Sequence, residues 1–221
     1  MPWRYTAGVL RARSKYYRIL LMLFQDRLDA GNQLADRLTD YKNNSIVVSL
    51  LRGGVIVGDA IAKKLKIPHL FLAVAKISHH YQPELAIGAL CFNQIFLDNQ
   101  LVSFIDKKTI NQQIKEAKNK FVSYLIKFHL KKTLFKMIKN KTVILADDGI
   151  ATGATVKVAL IFLKSQNPKK IILVVPVAPT DFKNPGFDEV IILHRNQYFS
   201  AVSRFYQNFP QVEDKEIFSI Y

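Results

Sequence analysis

A single cysteine, Cys91, stands in a chain of 221 residues, so no internal disulfide can form. A lone thiol without cross-links leads to the expectation of a reducing, cytoplasmic setting. Cys91 lies in an apolar run, where it reads as buried filler rather than a nucleophile. Long hydrophobic runs are missing too. Ile19–Phe24 is apolar but too short for a membrane span, and no small-residue cleavage site follows it. There is no Gly-x-Gly-x-x-Gly, which removes the dinucleotide fold, and no glycine-rich loop ending in Lys-Ser/Thr, which removes the P-loop nucleotidases. Internal repeats and low-complexity segments are likewise lacking.

Acidic residues are scarce in two places, and this explains the net charge of +15. Residues 1–25 carry five Lys/Arg (Arg4, Arg11, Arg13, Lys15, Arg18) and no acid. Residues 107–142 carry eleven Lys and a single acid, Glu116. The remainder holds 16 basic and 16 acidic residues, so it is neutral. Basic blocks of this kind either contact nucleic acid or anionic lipid or form a solvated Lys-rich face. The solvated face is the favoured reading. Trp3, Tyr5, Tyr16 and Tyr17 interleave with the first block, which reads as a basic N-terminal extension over 1–23. Residues 24–221, with 49% apolar residues in the whole chain, suffice for one large α/β domain with a small hood.

One stretch organises that domain. Residues 143–155 read Val-Ile-Leu-Ala-Asp-Asp-Gly-Ile-Ala-Thr-Gly-Ala-Thr. Val143–Ala146 has the unbroken apolar character of a strand covered on both faces. Asp147 and Asp148 follow at its carboxyl end, and a short turn leads through Thr152, Gly153 and Thr155 into a helix. Free N–H groups and the positive dipole at a helix start suit a phosphate. Two carboxylates beside a phosphate cradle would repel the phosphate itself, so they must face another part of the ligand, such as a sugar diol or a divalent metal. A second junction of the same kind occurs at Leu51-Arg52-Gly53-Gly54, after the apolar run Ile46–Leu51 and before a helix running to about Leu65. Two such junctions in one sheet point to a single ligand with two anionic ends.

The 143–155 run resembles the phosphoribosyl-pyrophosphate motif of type I phosphoribosyltransferases, and Arg52-Gly53-Gly54 resembles the pyrophosphate loop of the same family. Relatives usually have Arg-Lys at the end of the next strand, His69–Ile77; here it reads Val74-Ala75-Lys76, and only Lys76 matches. Pro83–Ala89 and Phe199–Glu216 resemble the stand-alone bacterial subgroup of unassigned substrate. The resemblance implies a doubly wound, mainly parallel sheet with a hood built from N- and C-terminal segments, the latter over about 180–221. It also implies a cis peptide at Leu51–Arg52. It implies transfer of a 5-phosphoribosyl group from phosphoribosyl pyrophosphate to a nitrogen base, with Mg²⁺ as cofactor and a homodimer as the assembly. Asp147 and Asp148 would hold the ribose diol and the metal. The backbone and hydroxyls of Ala151, Thr152, Gly153, Ala154 and Thr155 would hold the 5-phosphate, and Arg52, Gly53 and Lys76 would take the pyrophosphate. Gly54, Gly149 and Ile150 would complete the substrate-binding loops. Ala151 occupies the place where 6-oxopurine enzymes carry a base-contacting Asp, which disfavours hypoxanthine and guanine as acceptors. The alternative is a non-catalytic sensor of phosphoribosyl pyrophosphate that binds nucleic acid through the basic segments.

Other expectations are local. Phe24–Leu38 reads as a helix with Leu28, Leu34, Ala35 and Leu38 on one face. Ser78–Gln82 reads as a mobile loop on which His79 and His80 diverge, and Glu84 either orients a substrate amine or salt-bridges at the surface. Ile110, Ile114, Ala117, Phe121, Leu125 and Phe128 recur at helical spacing. Phe199, Phe205 and Tyr206 either stack on a planar base or pack in the core, with core favoured for at least two.

Overall fold

A computed structural model describes residues 23–220. The basic extension expected over 1–23 therefore lies almost wholly outside the described residues. A five-stranded parallel sheet forms the centre, made of β1 (Ser45–Leu50), β2 (His69–Leu72), β6 (Thr142–Ala146), β7 (Lys170–Pro179) and β8 (Glu189–Asn196). Their order across the sheet is β2-β1-β6-β7-β8, as expected for a doubly wound fold. A three-stranded antiparallel sheet of β3 (Ala75–Ser78), β4 (Ala86–Cys91) and β5 (Gln94–Leu97) lies alongside. The helices that matter below are α1 (Arg27–Asp36), α2 (Gly53–Leu65), α3 (Lys107–Lys127), α4 (Ala154–Lys164) and α5 (Asp214–Ile220). No described helix is long and apolar enough to cross a membrane.

The apolar runs read as strands covered on both faces, and the packing bears this out. Ile46, Val48, Val143, Leu145, Leu173 and Val175 pack with Val158, Phe162 and Leu163 of α4 and with β4. Their alternating neighbours Val47, Ile144, Ile172 and Val174 pack on the other face with Leu34 of α1 and Val57 and Ile61 of α2. Each such aliphatic side chain stabilises the fold by about 1.5–3 kcal/mol. Ala117 and Phe121 of α3 cover the second sheet against Ile77 and Leu90, so the helical stripe is core.

Two expectations about elements are corrected. The run His69–Ile77 is not one strand: β2 ends at Leu72, and Ala73-Val74 carries the chain into β3 of the second sheet. Ala73 and Val74 are buried, so apolarity is continuous through the bend and periodicity cannot mark it. On α1, Leu28 is 51% exposed while Arg27 is 8% exposed. The buried face instead runs through Ala30, Gly31, Leu34 and Ala35. Gly31 sets it, because a Cβ there would come within 2.7 Å of Ala60 Cβ and of the Val57 carbonyl, so α1 and α2 cross almost backbone to backbone.

A part-buried polar pair links β1 and β2, where Ser49 Oγ and His69 Nε2 lie 2.7 Å apart. Burial lowers the His69 pKa from 6.5 to about 4. The unfolded chain therefore takes up a proton on His69 below pH 6.5 that the folded chain accepts only near 4. Stability from this residue is complete above the higher value and is lost as pH falls toward the lower, by roughly 3 kcal/mol at most. Urea midpoints at pH 7 and pH ~4.5 measure it, and His69→Phe should flatten that part of the slope.

Candidate functional site

The strand order sets the location. From β1 the chain moves outward to β2, then returns across the sheet to β6 on the other side of β1. Ligands of open α/β sheets bind where the winding reverses in this way, outside the carboxyl ends of the strands. The register aligns Ser49 with Ala146, so the loops that leave β1 and β6 emerge side by side. One begins Leu51-Arg52-Gly53 and the other Asp147-Asp148-Gly149.

Both loops open onto one cavity of about 300 Å³. Arg52, Gly53, Lys76, Asp147, Asp148, Gly149, Ala151, Thr152, Gly153 and Thr155 line it, ten of the residues singled out from the sequence. Gly54, Ile150 and Ala154 do not. Ile150 is 2% exposed and donates its N–H to the Val177 carbonyl, so its side chain belongs to the core. Ala154 is buried at the first turn of α4. Gly54 packs on the far side of the acids: a Cβ there would lie 2.8 Å from the Ala146 carbonyl and 3.0 Å from Asp147 Cα.

Each wall of the cavity has its own chemistry. On one side the turn 151–153 enters α4, with Gly153 at φ 77°, a left-handed conformation that glycine adopts without penalty. The first N–H groups of α4 have no intrahelical acceptors and point toward this end. In the other loop, the Leu51–Arg52 peptide is cis, as expected, and the Gly53 end of α2 follows directly. Arg52 Nη1 does not extend freely into the cavity but donates to Asp214 Oδ1 at 2.7 Å, and Lys127 Nζ holds the other oxygen at 2.7 Å. Lys76 reaches the cavity from the second sheet, while Ala75 before it packs into the core.

The acids line the same cavity and are not equivalent. Asp147 Oδ1 accepts the Asp148 N–H at 2.9 Å. Burial, then the neighbouring Asp148 carboxylate, push the Asp147 pKa well above the usual carboxylate range. Asp148 Oδ2 accepts from Arg27 Nε at 2.8 Å, and its carbonyl accepts from the Tyr206 hydroxyl at 2.6 Å. Arg27 was not singled out from the sequence, and Tyr206 was read as base-stacking or core, not as a donor to Asp148. Their contacts span 121 and 58 positions, and no local pattern encodes them. Val202 and Phe209 also line the cavity unannounced. Phe205 and Tyr206 are core, 2% exposed each, packed with Phe24 and Val177. Phe199 instead lines a second hollow of about 430 Å³ that meets the first at Ala151 and is shared with Thr180, Asp181 and Gln197.

The remaining local expectations resolve simply. Cys91 is fully buried, and burial pushes its thiol pKa up, which fits inert filler. His79 and His80 do not diverge: their rings stack at 4.6 Å and 29°. The backbone is not extended there, because turn bonds from His79 N–H to Leu85 O and from Gln82 N–H to His79 O fold the loop back. Among the described residues no group of at least three His, Cys, Asp or Glu could hold a metal alone.

Residues 23–189 match the family model described as the phosphoribosyl transferase domain. The chain belongs to the type I phosphoribosyltransferase family. Two Mycobacterium tuberculosis proteins named "Putative phosphoribosyl transferase" are 35% identical to it over 208 residues, which is 89% of this chain and 46% of theirs. The chain thus spans under half the length of these curated relatives. Among solved structures, the protein TT1426 of Thermus thermophilus superposes with a TM-score of 0.65 at 27% identity, covering 90% of this chain and 97% of that one. The phosphoribosyltransferase fold accounts for the parallel sheet order and for the juxtaposition of the two loops described above.

Proposed function

We propose that this chain transfers the 5-phosphoribosyl group of phosphoribosyl pyrophosphate to a nitrogen base, releasing pyrophosphate. One observation carries the reading: a single cavity is lined by the loops that enter two helices and by the Asp147–Asp148 pair. That is the arrangement a pentose with a phosphate at each end requires. The 151–155 turn would hold the 5-phosphate through N–H groups and the Thr152 and Thr155 hydroxyls. Arg52, the Gly53 N–H and Lys76 would take the pyrophosphate. As pyrophosphate leaves, positive charge develops on the ribose ring, and the Asp148 carboxylate opposes it from a fixed distance.

The donor set fits Mg²⁺. Two carboxylates alone are too few to saturate the ion, but Mg²⁺ keeps waters and takes substrate phosphate oxygens for the rest. When bound it would supply neutralisation of the leaving pyrophosphate, held by Asp147 and Asp148. The acceptor base would enter the hollow beside Ala151, where Phe199 offers a ring face. Ala151 offers no proton acceptor, which speaks against a 6-oxopurine.

A saturating mixture of phosphoribosyl pyrophosphate and Mg²⁺ should raise the melting temperature by roughly 5–10 °C when the ligand is at about 100 times its Kd. A panel of nucleobases scored for pyrophosphate release then identifies the acceptor. Stabilisation without release by any base favours the sensor reading, whose support is the exposed lysines of α3 and the segment after it. Steep salt-dependent retention on a DNA column would add to that case. No stabilisation and no release would remove the ligand assignment.

The Arg52–Asp214 pair bears on substrate affinity. Pyrophosphate must compete with Asp214 for the guanidinium, and both side chains are part-exposed, at 25% and 33%. Such a solvent-screened pair holds the guanidinium only weakly. Asp214→Asn should therefore lower the KM for phosphoribosyl pyrophosphate about two- to fivefold with little change in melting temperature. A raised KM would mean that Asp214 holds Arg52 in its working position instead.

A further inference from the structure

Arg27 is the most buried cation described, 8% exposed, and the transfer reaction as outlined gives it no part. It opens α1, at the far end of the chain from most of the residues it touches. Its Nε donates to Asp148 Oδ2 at 2.8 Å and its Nη1 to the Pro210 carbonyl at 2.8 Å. Its guanidinium carbon lies 3.6 Å from the centre of the Phe209 ring, a cation–π contact. On the remaining side stands Gly53, where a Cβ would come within 3.0 Å of Arg27 Nε. The guanidinium is thus wedged between the acid pair, the start of α2 and the C-terminal segment. Two of its neighbours, Asp148 and Phe209, line the cavity.

We propose that Arg27 is a positioning residue for the reacting ribose, acting through Asp148. The backbone of Asp148 is already fixed at both ends, by Asp147 Oδ1 and by the Tyr206 hydroxyl. Only the carboxylate can still rotate, and Arg27 holds one of its oxygens. The planar fork of the guanidinium fixes the direction of the bond as well as its length, which a lysine ammonium cannot do. Oδ2 is thereby engaged, and Oδ1 is the oxygen left to meet the substrate. The same fork ties Pro210, and with it Phe209, to the carboxylate. The segment that carries Phe209 and the acid therefore move together.

This inference rests on the proposed transfer reaction, and the experiment separates the two. Arg27→Lys and Arg27→Met are compared with the parent for pyrophosphate release in the presence of phosphoribosyl pyrophosphate, Mg²⁺ and the acceptor found by the panel. Loss of an orienting partner typically costs about 10–100-fold. That loss is expected in kcat for both variants, with KM for phosphoribosyl pyrophosphate changed less than about threefold. Arg27→Lys keeps the charge in place and guards against a variant that fails to fold. Both substitutions are repeated on Asp148→Asn. If Arg27 works through Asp148, they cost nothing further there, since coupled residues are not additive. Variants within threefold of the parent kcat, or losses that simply add to that of Asp148→Asn, overturn the positioning role while leaving the reaction intact. A parent chain that neither releases pyrophosphate nor is stabilised by phosphoribosyl pyrophosphate overturns the reaction, and the role of Arg27 with it.

Discussion

Asp148→Asn should lower pyrophosphate release by about 10²–10³-fold, the scale seen when one preorganised charge-stabilising group is removed from a transfer site. Asp148 is the acid whose charge has a partner, because Arg27 stands at one of its oxygens. An amide in its place is nearly the same size, so a shape effect cannot account for the loss. Asp147→Asn should cost a similar factor, because Mg²⁺ when bound would draw on the charge of both acids. In the unliganded chain burial and the adjacent charge favour the neutral form of Asp147, and an amide oxygen can still accept the Asp148 N–H, so this variant should leave stability nearly unchanged. The comparison of the two variants is the decisive result. A much smaller loss of turnover in Asp147→Asn than in Asp148→Asn would take Asp147 out of the metal site. A turnover unchanged in Asp148→Asn would take that residue out of the reaction.

The same substitution reports on stability, because Asp148 is the partner of a buried guanidinium. With side-chain exposures of 9% and 17%, the pair lies between the surface and interior cases. The amide keeps an acceptor for Arg27 Nε but removes the negative charge. A loss of about 1–3 kcal/mol follows, the range for a buried donor left with a weaker partner. Thermal or urea unfolding of the unliganded chain measures it independently of turnover.

The parallel scaffold was legible in the sequence because strands buried on both faces need unbroken apolar runs. Val143–Ala146 lies within β6, and Ile46–Leu51 matches β1 to within one residue at each end. The cavity loops were legible for a related reason: glycines, hydroxyls and adjacent acids at strand ends have few purely structural uses. What stayed hidden depends on distance along the chain. Arg27 sits beside Leu28, which the helical spacing places on the apolar face, and its burial is decided by partners at 148, 209 and 210. The division of 69–77 between two sheets was hidden because the bend at Ala73-Val74 is as apolar as the strands on either side. Composition and spacing carry information about what must be covered, and little about which polar group is covered with it.

Gly53→Ala should disable the site through a single added methyl. Gly53 belongs to the loop expected to take the pyrophosphate, and the fold supplies a steric reason for its size. A Cβ at this position would overlap Asp148 Oδ2, would lie 2.5 Å from its Cγ, and would crowd Arg27 Nε at 3.0 Å. None of these atoms is the loose end of a flexible side chain, because the ion pair holds them in place. Either the carboxylate rotates out of the cavity and abandons Arg27, or the start of α2 shifts and carries Arg52 with it. Overpacking of this kind costs about 1–3 kcal/mol of stability. Both relaxations break the geometry between the acids and the 52–53 loop, so the response to phosphoribosyl pyrophosphate should disappear along with turnover. Gly53→Ala in the Asp148→Ala background tests the cause. Removing the carboxylate vacates the space, and the stability loss due to the added methyl should shrink to below about 0.5 kcal/mol if the clash with Asp148 is what drives it. An undiminished loss would assign the cost to α2 packing alone and would separate the glycine from the acid pair.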